Sequence, residues 1–216
     1  MTNNIDAESV TRGIDAESVT RGIGAESVTS GIDADFGALA AKLRASTVRV
    51  VDERGRGQGS GIVWNAHGLI LTNAHVVRGG SALVVGDNGA KFRARVVGRD
   101  PQRDLAALHV DVRTDLVPAE IRASAPAVGE LVVAAGNPLG LVGAVTAGVV
   151  HRSSARWVVA DVRLAPGNSG GPLADAEGRV VGINSMVARG LALAIPVATV
   201  AAFLGIAVGP EGTRAA

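Results

Sequence analysis

The sequence contains no cysteine and very few aromatic residues. Its 216 residues include three Phe, two Trp and no Tyr. The lack of cysteine excludes disulfides, zinc–thiolate sites, iron–sulfur clusters and a cysteine nucleophile. Glycine is abundant instead, with 29 residues, and Val, Ala, Leu and Ile supply most of the apolar side chains. This composition favours a β-rich core built from branched aliphatic side chains.

An excess of charge of one sign is also absent, as are long uninterrupted apolar segments. Lys and Arg number 21 against 20 Asp and Glu, and no long basic run occurs, so we expect no nucleic-acid binding. The uncharged stretch 131–150 is long enough to cross a membrane, but Asn137-Pro138 and four glycines interrupt it. We predict two buried strands there and no membrane span. No signal peptide is recognisable, which leaves the localisation unknown and cytoplasmic by default.

The N-terminal part of the chain is repetitive. Three nonapeptide units follow one another, IDAESVTRG at 5–13, IDAESVTRG at 14–22 and IGAESVTSG at 23–31. A nine-residue period gives no single apolar face in a helix or a strand. We therefore predict a mobile extension over residues 1–32, a folded domain over 33–208 and a tail over 209–216. A solenoid or an oligomerisation arm is the alternative, and the latter would make the chain a homo-oligomer.

The rest of the chain has the pattern of an all-β protein with two helices. Apolar residues at helical spacing predict a short amphipathic helix over 34–46. Eleven short strand-like segments follow, separated by Gly, Asn and Asp. A polar stretch near 113–127 divides them into two groups, which predicts two small barrels, about 47–115 and 124–196, with a cleft between them. A closing helix is predicted from Val197 to Leu204, after Pro196.

Ser169 is the strongest candidate for a catalytic nucleophile in the sequence. It lies in APGNSGGPL at 165–173, where small residues allow a tight turn that can aim backbone N–H groups at one point, as an oxyanion hole requires. GNSGG also matches the G-x-S-x-G pattern of α/β-hydrolases, but that fold places its histidine after the serine. All four histidines precede Ser169, at positions 67, 75, 109 and 151. An ordinary hairpin turn with a solvated serine is the alternative.

His75 and Asp104 are the candidate partners of this serine. His75 follows an apolar strand in GLILTNAHVV, and Asp104 stands at the entrance to another strand in RDLAALHV. The order His, Asp, Ser is one in which serine-protease triads occur, with the aspartate fixing the imidazole tautomer. Each residue taken alone is equally compatible with a surface histidine and a strand-capping aspartate.

Motifs along the chain resemble those of one protein family. GQGSGIVW, GLILTNAHVV, DLAAL, VGELVVAAGNPLGL, VTAGVV, PGNSGGPL, VVGIN and LALAIP are similar, in this order, to segments of trypsin-like serine proteases of the HtrA (Deg, high-temperature-requirement) type. The resemblance covers roughly residues 36–205, the protease domain only. It implies a double β-barrel of chymotrypsin-like fold and a serine endopeptidase that cleaves exposed, extended segments of unfolded or misfolded protein without a cofactor.

The resemblance also implies roles for individual residues. His75 would be the general base, Asp104 would orient it and Ser169 would be the nucleophile, with the N–H groups of Gly167 and Ser169 forming the oxyanion hole. Ser185 matches a position that supports the aspartate and the substrate strand. Three further residues fall where the primary specificity pocket has its walls, Leu164, Met186 and Val187. The rival interpretation is a catalytically silent, protease-like module that binds polypeptides, with its triad out of register.

Arg163 leaves two hypotheses for the preferred P1 residue, the substrate residue whose carbonyl is attacked. An inward guanidinium would favour a carboxylate at P1. Arg163 and Leu164 are adjacent, however, so in an extended segment an inward Leu164 turns Arg163 outward. We therefore expect a small to medium aliphatic P1 residue. No metal site is predicted, because the histidines lack ligand spacing, and GRGQGSG at 55–61 lacks the ending of a phosphate loop.

Overall fold

A computed structural model of the chain describes residues 25–53, 57–111 and 116–205. The repeats up to residue 24 and the predicted tail lie outside the described residues. The helices are α1 (Ala25–Ala45) and α2 (Val197–Leu204), and a short 3₁₀ turn, η1, spans Pro138–Gly140. The strands are β1 (Thr47–Asp52), β2 (Gln58–Val63), β3 (Leu69–Thr72), β4 (Ser81–Val85), β5 (Lys91–Asp100), β6 (Leu105–His109), β7 (Leu131–Gly136), β8 (Ala144–Ser153), β9 (Val158–Ala160), β10 (Pro172–Asp175), β11 (Val180–Ala188) and β12 (Leu191–Pro196).

The strands form two closed six-stranded barrels, which confirms the predicted all-β double-barrel fold. The strand order is β1-β2-β3-β6-β5-β4 in the first barrel and β10-β11-β12-β9-β8-β7 in the second. Both barrels belong to a compact unit that begins at Leu39, and of the unit before it the structure describes only helical residues 25–38. Barrel closure leaves each sheet without a long free edge.

Helix α1 is longer than the sequence predicted. It begins at Ala25, nine residues before the expected start at 34, and ends at Ala45. The third repeat is therefore helical from Ala25 onward, which corrects the predicted helix start. Once a helix is nucleated, each further residue adds a hydrogen bond, and a single Gly31 costs only about 1 kcal/mol relative to Ala. The missing apolar stripe does not prevent this local extension.

The strand prediction missed one element and was otherwise close. Eleven strands were expected, and the twelfth is β10, four buried residues of sequence PLAD. It shows no alternation of apolar and polar residues, and its proline stands at the first strand position, where no ladder donor is needed. The segment 131–150 holds β7 and most of β8, paired antiparallel from Leu131 opposite Val149 to Gly136 opposite Ala144. No helix in the described part of the chain is long and apolar enough to span a membrane.

The barrels have separate cores and share a third apolar cluster. Val50, Ile70 and Leu108 lie in the core of the first barrel. The shared cluster brings Ile62, Leu71 and Leu105 of the first barrel against residues of the second barrel and α2, namely Val180, Ile183, Ile195, Val197 and Val200. Burying each such side chain contributes roughly 1.5–3 kcal/mol. This cluster fixes the two barrels relative to each other, and so fixes the loops that face the cleft.

Candidate active site

His75 and Asp104 lie side by side at one end of the first barrel. β3 and β6 pair antiparallel with Thr72 opposite Ala106, so the turn after β3 lies next to the residue before β6. The Nδ1 atom of His75 is 2.9 Å from Oδ2 and 3.0 Å from Oδ1 of Asp104. The backbone N–H of His75 also donates to Oδ1, at 3.1 Å. The carboxylate thus fixes both the ring and the backbone of the histidine, and a hydrogen on Nδ1 leaves Nε2 free to accept a proton.

The Asp104 carboxylate is held in its ionised form. Its side chain is 19% exposed, and the hydroxyl of Ser185 donates to Oδ2 at 2.7 Å. Burial by itself raises the pKa of Asp104, but the hydrogen bonds from His75 and Ser185 outweigh it and hold the pKa below the ordinary value. The backbone of Asp104 has φ +56°, a left-handed conformation that Asp tolerates better than most residues.

Two residues that sequence reasoning missed support this pair. The guanidinium of Arg99 donates to the carbonyl oxygens of Ala74 and Val77, at 2.9 and 3.1 Å, and so braces the turn that carries His75. The side-chain amide of the buried Asn73 donates to the backbone oxygen of Asp104 at 3.0 Å. Asn73 stands in the TNAH segment beside His75, whereas nothing local to the sequence of β5 singles out Arg99.

Ser169 lies on the second barrel, in the loop before β10. The loop folds tightly because Gly167 has φ +108° and Gly170 has φ +88°. A Cβ at Gly167 would overlap the backbone oxygen of Asn137, so the position requires glycine for space as well as for conformation. The Ser169 hydroxyl donates to the backbone oxygen of Ser185 at 3.0 Å. Among the described residues the hydroxyl makes this hydrogen bond rather than one to the imidazole of His75.

Two backbone N–H groups of this loop are free to bind a ligand. Within the described chain, the amides of Gly167 and Ser169 donate no hydrogen bond, although those of Asn168 and Gly171 are used in turns. The carbonyl oxygen of Pro166 accepts a 3.0 Å hydrogen bond from the N–H of Leu139. Because a trans peptide points its C=O and N–H in opposite directions, this contact turns the Gly167 N–H away from Leu139. The two free donors have the chemistry that a developing oxyanion needs.

Ser60 connects the first barrel directly to this loop. It is fully buried in β2, and its hydroxyl donates to the backbone oxygen of Gly167 at 2.7 Å. The same hydroxyl accepts hydrogen bonds from the backbone and side-chain amides of Asn137, at 2.8 and 3.2 Å. The backbone N–H of Ser60 donates to the backbone oxygen of Ser169 at 2.8 Å. The GQGSG segment was the sequence signal for this residue, but it indicated nothing about these partners.

The candidate specificity residues line one cavity beside Ser169. The cavity has a volume of about 370 Å³, and its walls include all four residues named from the sequence, Leu164, Ser185, Met186 and Val187. None of the residues lining it in the described chain carries a charge. Arg163 is exposed outside this lining, and its backbone oxygen accepts a hydrogen bond from Thr146 at 2.9 Å. Arg163 and Leu164 thus lie on different sides of the chain, although this segment follows the end of β9 at Ala160 and is not part of a strand.

The other histidines lie away from this site. His109 Nδ1 is 3.2 Å from Asp111, and His151 Nε2 is 3.4 Å from Asp161, in exposed pairs. His67 donates its backbone N–H to the side chain of Asn65 in a turn. In the ranges that the structure describes, no three His, Cys, Asp or Glu side chains come together in a way that could hold a metal ion.

Comparisons with known proteins agree with this architecture. Residues 59–183 match the model of the trypsin-like peptidase domain family. The chain is 39% identical over 183 residues to Protease Do-like 1, chloroplastic, of Arabidopsis thaliana, covering 75% of this chain and 42% of the relative. It is 39% identical over 176 residues to a DegP-like protein of Brucella suis, covering 72% of this chain and 34% of the relative.

A solved structure is also similar to the chain. The serine endoprotease from Yersinia pestis superposes with a TM-score of 0.74 at 31% identity, over 79% of this chain and 65% of that one. The chain spans only about two fifths or less of the curated relatives described above. The double barrel, the matched family model and these relatives together identify the chain as a member of the trypsin-like peptidase domain family, of the HtrA type that its motifs predicted.

Proposed function

We propose that this chain is a serine endopeptidase that cleaves exposed, extended segments of unfolded or misfolded protein. The observation that carries the proposal is the continuous set of contacts from His75 to Asp104, from Asp104 to the Ser185 hydroxyl, and from the Ser185 carbonyl to Ser169. These contacts cross the cleft between the barrels. They link a histidine that has an ionised carboxylate partner to a serine in a loop with two free backbone amides.

In this mechanism the three residues act in sequence on the substrate carbonyl. His75 Nε2 takes the proton from Ser169 Oγ as the oxygen attacks the substrate carbonyl carbon, and the Gly167 and Ser169 N–H groups stabilise the resulting oxyanion. His75 then gives the proton to the leaving amine as the peptide C–N bond breaks, which leaves an ester on Ser169. Water hydrolyses the ester by the same sequence. Asp104 stays ionised throughout and stabilises the imidazolium.

The hydrogen bond from the Ser169 hydroxyl to the Ser185 carbonyl is compatible with this mechanism, because substrate binding can break it. The Ser185 carbonyl that accepts from Ser169 also belongs to the strand segment beside the cavity. A substrate strand added there would offer its own backbone N–H to that carbonyl, and the displaced hydroxyl would turn to another staggered rotamer, toward His75. The nucleophile would then become available when a substrate is in place.

An open strand edge supports the choice of extended substrates. β10 pairs with β11 only as far as Ile183, and the N–H and C=O of Asn184 bond to Gly171 and Gly170. From Ser185 to Ala188, no strand in the described chain pairs with that edge of β11. A polypeptide can add to such an edge through backbone hydrogen bonds only if it is extended and not already folded. The uncharged cavity beside Ser169 would accept an aliphatic P1 side chain.

The test compares the chain with its Ser169→Ala variant. A serine-directed fluorophosphonate should label the chain and not the variant, and reduced, unfolded casein should be cleaved while a stably folded protein of similar size is not. Ser124→Ala is the matched control, because Ser124 is exposed, lines neither cavity of the cleft, and its hydroxyl accepts a hydrogen bond from the Arg122 side chain. Binding of unfolded casein without labelling or cleavage would favour the silent polypeptide-binding module instead.

A further inference from the structure

A second and larger cavity adjoins the one beside Ser169. It has a volume of about 680 Å³, and His75 and Asp104 form one side of it. Met186 lines both cavities, so the two meet at the open edge of β11. The far side is the turn between β8 and β9, which contributes Arg156 and Trp157. A polypeptide lying along that edge would therefore face both cavities.

Arg156 is the uncompensated charge of this cavity. Arg103 also lines the cavity, but its guanidinium is 2.6 Å from the carboxylate of Asp100. Asp104 is occupied by His75 and Ser185. Arg156 is exposed, and it has no ion pair or side-chain hydrogen bond to any residue that the structure describes. The cavity therefore presents one free guanidinium, which binds a carboxylate with paired, directional hydrogen bonds.

The position of Arg156 is set by its turn. Ser154 and Trp157 close the turn with two hydrogen bonds, from Ser154 N–H to Trp157 O at 3.0 Å and from Trp157 N–H to Ser154 Oγ at 3.1 Å. The hydroxyl of Thr199 in α2 donates to Ala155 O at 3.1 Å and ties the turn to the helix. Apolar walls from Trp157, Met186 and Ile195 suit the methylene groups of a glutamate side chain.

Strand alternation indicates which substrate residues reach this cavity. The strand pairs of both barrels are antiparallel, and a substrate strand added antiparallel to β11 would place the residues N-terminal to the scissile bond along Met186 and Val187. Successive side chains of a strand point to opposite faces. With P1 in the cavity beside Ser169, the P2 and P4 side chains face the larger cavity, and P3 faces away from it.

We propose that Arg156 selects substrates with an acidic side chain at P2 or P4. The proposal rests on the proposed endopeptidase function, because it names the substrate class of the same cleft. The interaction is an ion pair near the surface, so its effect is modest. We expect glutamate to be preferred over glutamine by about 1.4- to fivefold in kcat/KM, the range of exposed ion pairs. The preference should disappear near 1 M salt, where the Debye length is about 3 Å.

The experiment uses the full chain and a set of fluorogenic peptides with a P1 valine. Glutamate, glutamine or lysine is placed in turn at P2, P3 and P4, and kcat/KM is measured for the chain, Arg156→Gln, Arg156→Glu and Arg152→Gln. Arg152 is the control because it is exposed on β8 and does not line the cavity. Glutamate should be preferred at P2 or P4 and not at P3. Arg156→Gln should remove the preference, Arg156→Glu should reverse it in favour of lysine, and Arg152→Gln should retain it.

A binding measurement separates this proposal from the proposed function. The Ser169→Ala variant, with and without Arg156→Gln, is titrated with fluorescein-labelled versions of the same peptides, and Kd is obtained from anisotropy. A lower Kd for glutamate than for glutamine that depends on Arg156 supports the role of Arg156, even if the unmodified chain hydrolyses none of the peptides. The absence of hydrolysis would contradict only the proposed endopeptidase function. Equal kcat/KM and equal Kd for glutamate and glutamine at every position would overturn the role of Arg156. Peptide cleavage measured in the same experiment would still support the endopeptidase function.

Discussion

The Ser60 hydroxyl donates a 2.7 Å hydrogen bond to the backbone oxygen of Gly167, although the two residues are 107 positions apart in the chain. Ser60 lies in β2 of the first barrel. Gly167 lies in the loop of the second barrel that carries the two free backbone amides. A fully buried hydroxyl with an acceptor and two donors around it has little freedom to move. The contact therefore makes the geometry of the Ser169 loop depend on the first barrel.

Replacing Ser60 by alanine should reduce turnover more than it reduces substrate binding. The change leaves the Gly167 carbonyl and the Asn137 amides without their partner, and unpaired buried polar groups cost about 1–3 kcal/mol each. We expect the melting temperature to fall and kcat to drop by about tenfold or more, with KM for a peptide changing little. Unchanged kcat in a folded variant would show that the contact serves stability alone.

Single alanine substitutions of His75, Asp104 and Ser169 should each remove most activity. Losses of about 10⁴-fold in kcat are expected, and double substitutions should cost little more, because the three residues act as one unit. Peptide hydrolysis by the single and double variants measures this directly. Near-normal activity of Asp104→Ala would mean that another carboxylate orients the histidine.

Activity should increase with pH over roughly pH 5 to 8, where histidine side chains change charge. His75 must be neutral to accept the proton from Ser169. Asp104 does not contribute to this limb, because its pKa is held below the ordinary carboxyl value and it is already ionised. Initial rates at constant ionic strength, with His67→Gln as a control far from the cleft, test the assignment. A flat profile would contradict general-base catalysis by His75.

Arg163→Ala should leave the preferred P1 residue unchanged. The Arg163 side chain is not part of the cavity beside Ser169, and that cavity is lined by uncharged residues. A peptide library varied only at P1 should show small to medium aliphatic residues before and after the substitution. Dominant cleavage after Glu or Asp that disappears in Arg163→Ala would make Arg163 the specificity residue.

Asp175 should stabilise the second barrel in a pH-dependent way. It is fully buried, and it accepts hydrogen bonds from Arg179 at 2.8 Å and from Arg122 at 3.3 Å. Burial raises its pKa, but the Arg179 contacts, followed by Arg122, outweigh this and lower the pKa below the ordinary value. The stabilisation is therefore present above the unfolded-state pKa of about 3.9 and is lost as the pH falls through the lower folded value.

The substitution Asp175→Asn isolates this contribution. At neutral pH we expect it to reduce the free energy of unfolding by about 1.5–3 kcal/mol, since it removes the charged acceptor of the hydrogen bonds from Arg179 and Arg122. The difference from the unmodified chain should shrink as the pH falls below about 4, where the aspartate is protonated first in the unfolded chain and, at lower pH, in the folded chain. Urea unfolding followed by circular dichroism at several pH values measures both effects. A difference independent of pH would show that charge is not the cause.

The features that could be predicted from the sequence are those that depend on residues close together in the chain. Each of these features lies within about ten consecutive residues. They are the strands with alternating apolar and polar residues, the turn residues, and the motifs around His75, Asp104 and Ser169. The roles of Ser60 and Arg99 depend on partners brought close only by barrel closure, and no local pattern indicates them. β10 was missed because a short, fully buried strand does not alternate. The start of α1 was misplaced because helix extension depends on nucleation further along the chain.

The division of the site between the barrels also bears on how the chain is made. Ser169 lies in the second barrel, whose closure requires β12 to pair with both β9 and β11. His75 and Asp104 belong to the first barrel, which is complete once β6 has been synthesised. A nascent chain that stops short of Pro196 thus holds the base without an ordered nucleophile. Proteolytic capacity would therefore arise only after the residues up to Pro196 have left the ribosome and β12 has closed the second barrel.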